Sequence, residues 1–192
     1  MRYAPALVSI AVLSGCAWLG LDERAAPAPP ALAPQTAWIV GLDGRAIGQA
    51  TFVEGNGGVL IRLEISQGAL TPGWHGLHLH QSSDCTDAAQ NFRAAGAHVS
   101  HPQAPPQHGL LNPAPPEAGD LPNLFASPTG PIGVEVFSQR VTLHNPAFGD
   151  REPLLDQDGS ALIIHASPDD HVTQPAGGAG ARVACAALPT RP

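Results

Sequence analysis

The chain has 192 residues, of which 43% are apolar and only 13% charged. That balance suits one folded domain with a real core plus extra segments, and it excludes a globally disordered polymer. The net charge is −7, and all nine basic residues are arginine, so no basic patch points to a nucleic acid partner.

The N-terminus reads 1-MRYAPALVSIAVLSGCAW-18. A short positive start precedes an apolar run, Ala6 to Leu13, that is too short for an ordinary membrane span. The run ends in 13-LSGC-16, which resembles the lipobox of bacterial lipoproteins. Residues 1–15 are therefore expected to be a signal peptide and Cys16 the lipidated residue, with a plain signal peptide as the alternative. The expected location is the periplasm or, through the lipid, the outer membrane. Residues 16–36 are rich in Ala and Pro and read as a tether. Export leaves Cys85 and Cys185 as an even pair in an oxidising compartment, either bridged or present as two buried thiols.

From residue 37 the apolar residues alternate with period two rather than 3.6. Candidate strands are 37-AWIVGLD-43, 46-AIGQATFVE-54, 59-VLIRLEIS-66, 76-GLHLHQ-81, 134-VEVFSQRVTL-143, 160-SALIIHA-166 and 181-ARVACAAL-188. The turn 55-GNGG-58 joins the second and third as a hairpin. Many short strands with Gly/Pro punctuation predict an all-β antiparallel sandwich or barrel over 37–188, with a short tail at 189–192. Two long connections, 82–131 and 167–180, interrupt the pattern and read as functional loops. His78 and His80 alternate with Leu77 and Leu79, so both imidazoles share one strand face, a chelate suited to Cu(II) or Zn(II).

The set 74-WHGLHLH-80, 84-DC-85, 95-AGAH-98, 108-HG-109, 119-GDLPN-123, 158-DGSALIIHASPDD-170 and 178-GAGARVAC-185 resembles the copper/zinc superoxide dismutase family. The resemblance covers about residues 37–188 with the motifs in order. It implies an eight-stranded antiparallel Greek-key β-barrel, an immunoglobulin-like sandwich, with the metals held by two long loops outside it. It implies copper and zinc as cofactors and the superoxide anion as substrate, in a monomer or homodimer. His78, His80 and His165 match copper ligands, and His98 matches the histidine bridging copper and zinc. His108 and Asp120 match zinc ligands. Arg182 matches the arginine that guides superoxide, and Asp169 the carboxylate linking a copper histidine to a zinc histidine. Cys85 and Cys185 match the disulfide pair, and Thr173 matches a residue at the channel mouth.

Glu117 stands where the family usually has a third zinc histidine. A carboxylate can ligate zinc at a similar distance, so a zinc site of His98, His108, Glu117 and Asp120 is expected. Ser83 replaces the usual Gly before Asp84. His75 is expected to be structural, His101 to be a loop residue, and His144 and His171 to be solvated loop residues. Two alternatives remain: a metal-binding module without turnover, and a copper-only dismutase with an impaired zinc site.

Overall fold

The computed structural model describes residues 32–101, 107–144 and 149–190. The expected signal peptide, Cys16 and most of the tether lie outside those residues.

Alternation of buried and exposed positions builds the strands. The chain order is β1 (Gln35–Gly41), β2 (Ala46–Gly55), β3 (Gly58–Ile65), β4 (Gly73–His75), β5 (Leu77–His80), β6 (Leu124–Ala126), β7 (Ile132–Ser138), β8 (Val141–Thr142), β9 (Glu152–Pro153), β10 (Ala161–His165) and β11 (Arg182–Ala187). In β3, Ile61, Leu63 and Ile65 are buried while Arg62 and Glu64 face solvent, the mark of a sheet with one wet face. Seven strands form one antiparallel sheet in the order β5-β10-β11-β1-β2-β3-β7, curled around a core that includes Ile39, Phe52, Ile61, Leu79, Leu124 and Ile164. β4 and β6 form a separate pair, as do β8 and β9. β4 and β5 follow one another across Gly76, and read as one interrupted strand they link β6 to the edge of the seven-stranded sheet. The described residues show no ladder between β6 and β7, so the sheet is a curled half-barrel along its hydrogen bonds.

The β2–β3 hairpin closes on Asn56-Gly57, with Gly55 opposite Gly58 and Gly57 at φ +98°. That conformation favours glycine, which explains the sequence there. Two expectations need correction. The connection 82–131 is not loop throughout, because it contains β6, and the predicted strand 134–143 breaks at Gln139-Arg140 into β7 and β8. β6 is only three residues long, and its middle residue Phe125 is half-exposed against Trp74, so it carries too little alternation to be legible.

Cys85 and Cys185 are bonded, with Cα atoms 5.8 Å apart and a sequence separation of 100. The bridge ties the first long loop to β11. Closing a loop of that size stabilises the fold by about 4–5 kcal/mol in the chain-entropy model. Two short 3₁₀ turns, Ala88–Gln90 and Arg93–Ala95, follow Cys85 in the loop.

Candidate metal centre

All four residues of β5 are buried, unlike a strand with one wet face. Leu77 and Leu79 enter the core. The opposite face, which carries His78 and His80, is roofed by the first long loop, stitched to β5 through its backbone. Leu79 N–H donates to the Gly119 carbonyl (2.8 Å), Val99 N–H to the Leu79 carbonyl (2.9 Å) and Gln81 N–H to the Ala97 carbonyl (3.0 Å). Gly119 makes this approach possible, since a Cβ there would lie 2.3 Å from the Leu79 oxygen. His98 thereby comes opposite His80, and Asp120 opposite His78. His165 ends β10, where the register against β11 shifts between Ile164 and His165. Such an irregularity re-aims a side chain.

One nitrogen from each of His78, His80, His98 and His165 lies within 4.8 Å of the others, and all four residues are buried. Their remaining nitrogens are fixed by acceptors. His78 Nε2 donates to Asp169 Oδ2 (2.9 Å), His80 Nδ1 to the Gly96 carbonyl (2.9 Å) and His165 Nδ1 to the Gly180 carbonyl (3.1 Å). Each bond sets a tautomer and points the bare nitrogen inward. His78 Nδ1, His80 Nε2 and His165 Nε2 are left buried with no hydrogen-bond partner. Burial pushes all three imidazoles below their ordinary pKa: His80 well below, and His165, with His78 adding to the effect, down to about 3. They are neutral rings with free lone pairs.

The second group is His78, His98, His108 and Asp120, again with one ligand atom each within 4.8 Å. Here the nitrogens are already paired. His108 Nδ1 lies 2.8 Å from Asp120 Oδ1, and His108 Nε2 lies 3.0 Å from Asp169 Oδ1. His98 Nδ1 lies 2.8 Å from Glu117 Oε2 and 3.3 Å from Asp120 Oδ1. Burial opposes charge on these rings, but the hydrogen bonds of Asp120 and Asp169 outweigh it for His108, raising it to about 10. Those of Asp120 and Glu117 raise His98 likewise. Asp120 and Asp169 are held well below the usual carboxylate range despite burial, chiefly by His108. Glu117 stands at the edge of this group, its Oε2 3.9 Å from His108 Nδ1.

The family model for copper/zinc superoxide dismutase (SODC) matches residues 46–188. The chain belongs to that family. A copper/zinc superoxide dismutase of Caulobacter vibrioides is 48% identical over 153 residues, covering 80% of this chain and 84% of that one. One from Aquifex aeolicus is 37% identical over 150 residues, covering 78% of this chain and 83% of its own length. The crystal structure of a superoxide dismutase-like protein from Bacillus subtilis superimposes with a TM-score of 0.72 at 32% identity, covering 80% of this chain and 97% of that chain.

In this superoxide dismutase Arg182 is half-buried at the start of β11. Its Nη1 and Nη2 donate to the carbonyls of Phe92 (2.8 Å) and Gly96 (2.7 Å). Thr173 is exposed on the second loop, where its hydroxyl donates to Asp170 Oδ2 (2.6 Å). His75 is buried, with Nδ1 and Nε2 facing the carbonyls of His165 and Thr71. His101 is exposed, 3.8 Å from Glu152. His171, expected in solvent, instead folds back onto the site. Its side chain is 18% exposed, its Nδ1 lies 3.1 Å from Asp169 Oδ2, and its backbone N–H donates to Asp169 Oδ1 (2.6 Å).

Sequence reasoning gave no role to two amides. Asn123 clamps the Asp169 backbone at both ends, donating to its carbonyl (2.8 Å) and accepting from its N–H (2.9 Å). Gln174 does the same for His108, at 2.7 and 3.0 Å. An amide that grips backbone leaves no mark in a loop sequence, so only geometry finds it.

Proposed function

We propose that the first group holds copper through His78, His80, His98 and His165, and that the second holds zinc through His98, His108, Asp120 and Glu117. The single observation carrying this reading is the set of three buried imidazole nitrogens without a partner. Leaving such atoms dry and unbonded is costly, and a metal ion satisfies all three at once. An all-imidazole set suits copper, and a mixed nitrogen and carboxylate set suits zinc.

Superoxide dismutation is the activity of this chain: two superoxide anions and two protons become O₂ and H₂O₂. When bound, copper supplies the one-electron redox couple and zinc supplies fixed positive charge without redox chemistry. The chain's own residues do the rest. Asp169 holds a copper-side ring and a zinc-side ring through one carboxylate, fixing both orientations. His98 belongs to both groups, and its Nδ1 is held by Glu117 and Asp120, so its Nε2 is the atom left to hold and deliver a proton to the product. Arg182, immobilised by two carbonyls, offers a fixed cation to the incoming anion. In a chain of net charge −7 that local field acts by focusing within the cleft. Thr173 lines the mouth of that cleft.

The proposed site of action is the cell envelope, supported by the apolar leader and 13-LSGC-16, with Cys16 lipidated. Loss of membrane fractionation in Cys16→Ser would support the anchor, and unchanged fractionation would remove it.

The catalytic reading is tested by loading the protein with copper and zinc and following superoxide consumption. His165→Ala should abolish activity and copper binding while the disulfide and zinc remain. Full activity in that variant would refute the copper assignment. Complete metal loading without turnover in the native chain would favour a metal-binding module.

A further inference from the structure

We propose that Arg140 is the positioning residue of the zinc group, a role that rests on the assignment of His98, His108, Glu117 and Asp120 to zinc. The four-residue turn 117-EAGD-120 presents two opposite sides. Its carboxylates face the histidines: Glu117 Oε2 is 2.8 Å from His98 Nδ1, and Asp120 Oδ1 is 2.8 Å from His108 Nδ1. The carbonyls of its two end residues face Arg140 instead. Arg140 Nε donates to the Glu117 carbonyl (3.2 Å), and Arg140 Nη2 donates to the Asp120 carbonyl. One planar guanidinium spans the first and last residues of the turn, a match that its rigid fork provides and an ammonium does not.

The ends of the turn are closed by two long bonds, Asp120 N–H to the Glu117 carbonyl (3.2 Å) and Glu117 N–H to Asp120 Oδ2 (3.1 Å), within a stretch crowded by Pro113, Pro115 and Pro116, while Gly119 ties its middle to Leu79 and Val99. The turn also aims two carboxylates at one spot, and like charges repel. Arg140 places a cation behind them, hydrogen-bonded to the carbonyls of both residues that carry them. Arg140 is itself anchored to the barrel. Its N–H donates to Ser138 Oγ (3.4 Å) at the end of β7, and its carbonyl accepts from Glu152 N–H (2.9 Å) at β9. The break between β7 and β8 therefore has a purpose: it turns one side chain out of the sheet to brace the zinc loop from behind. Among the described residues Arg140 makes its hydrogen bonds to Glu117, Asp120, Ser138 and Glu152, so its direct influence falls on the zinc group.

The test is a chelator-competition titration of zinc into disulfide-intact, copper-loaded protein. It is joined by cobalt(II) substitution, because cobalt absorption reports ligand geometry independently of activity. Arg140→Met should weaken zinc binding about 10- to 100-fold, the usual effect of removing a group that orients metal ligands. It should also change the cobalt spectrum and leave the copper spectrum intact. Arg140→Lys, with one cation but no fork, should recover only part of the affinity. Arg151→Met removes another half-buried arginine, paired with Glu54 at 2.9 Å, and should lower Tm without moving zinc affinity. Native zinc affinity in Arg140→Met would overturn the proposal, as would equal zinc losses in Arg140→Met and Arg151→Met. Native zinc affinity in Asp120→Ala would instead overturn the zinc assignment itself.

Discussion

His80 and His165 on one side of the cluster and His108 on the other are all buried, yet they settle in opposite charge states. The first two donate to backbone carbonyls and face other imidazoles, so burial drives them neutral. His108 sits between two carboxylates and keeps its proton to a pKa of about 10. The difference follows from the supporting elements. The neutral rings of His78, His80 and His165 stand on strands β5 and β10, where the ladder sets the backbone geometry. His98 and His108 lie in a loop with no ladder of its own, and carboxylates gather them. In the metal-free chain the copper half is a set of open lone pairs, while the zinc half is an internal ion-pair network that holds itself together. Under the proposed assignment zinc would displace protons to enter, whereas copper would meet bare nitrogens on His78, His80 and His165.

Asp169 is the point at which the two halves meet, so it gives the largest way to break the contrast. Asp169→Ala should weaken both metals by about 10- to 100-fold, measured by competition titration. Gly177→Ala should imitate it without touching a ligand, since a Cβ at Gly177 would lie 1.6 Å from Asp169 Oδ1 and the backbone there has φ +59°. A loss confined to one metal would mean that the carboxylate serves only one half.

Glu117 tests the zinc half alone. Glu117→Ala should lower zinc affinity about tenfold and leave copper unchanged, whereas Glu117→His should raise it, because imidazole is a softer ligand than carboxylate. No response to either substitution would make Glu117 a loop acid and favour a copper-only dismutase.

Arg182 tests the copper half alone. Arg182→Ala should reduce kcat/KM severalfold at low salt with copper retained, and the gap should narrow as salt rises. A rate equal to the native one at low salt would remove it from the reaction.

The smallest effect concerns the metal-free protein. A histidine whose folded pKa is raised, as in His108, contributes stability that is complete below its unfolded value of about 6.5 and is lost as pH climbs toward about 10. A histidine whose folded pKa is depressed, as in His165, has the opposite slope: stability is lost as pH falls from about 6.5 toward about 3. Asp120 and Asp169, also depressed, add to the acid limb below about 4. Tm should thus decline by a few degrees on each side of a maximum near neutrality. His108→Gln should flatten the alkaline limb and His165→Gln part of the acid one, read by calorimetry across pH.

How far the sequence was legible follows the same division. The long strands announced themselves because Ile61, Leu63 and Ile65 alternate with Arg62 and Glu64 over a full sheet face. The shared side of His78 and His80 followed from that period, but their complete burial did not, because the roof over β5 is made by distant loop backbone. β4 and β6 escaped notice, since three residues cannot display a period. His171 was misplaced because a positive φ of 61° turns the chain back onto Asp169, and nothing in 168-PDDHV-172 advertises that turn. The metal-ligand motifs were readable as residue types in order. The braces behind them, Asn123, Gln174 and Arg140, act on backbone and were not.

The Gly96 carbonyl accepts from His80 Nδ1 and from Arg182 Nη2 at once. Under the proposed assignment this oxygen is a tie-rod between the arginine that would receive the substrate and a ring that would face copper. It sits eleven residues beyond Cys85, on the loop that the disulfide fastens to β11. Opening that bridge would release guide and ligand in one movement, so the thiol–disulfide state should switch catalysis on or off rather than grade it.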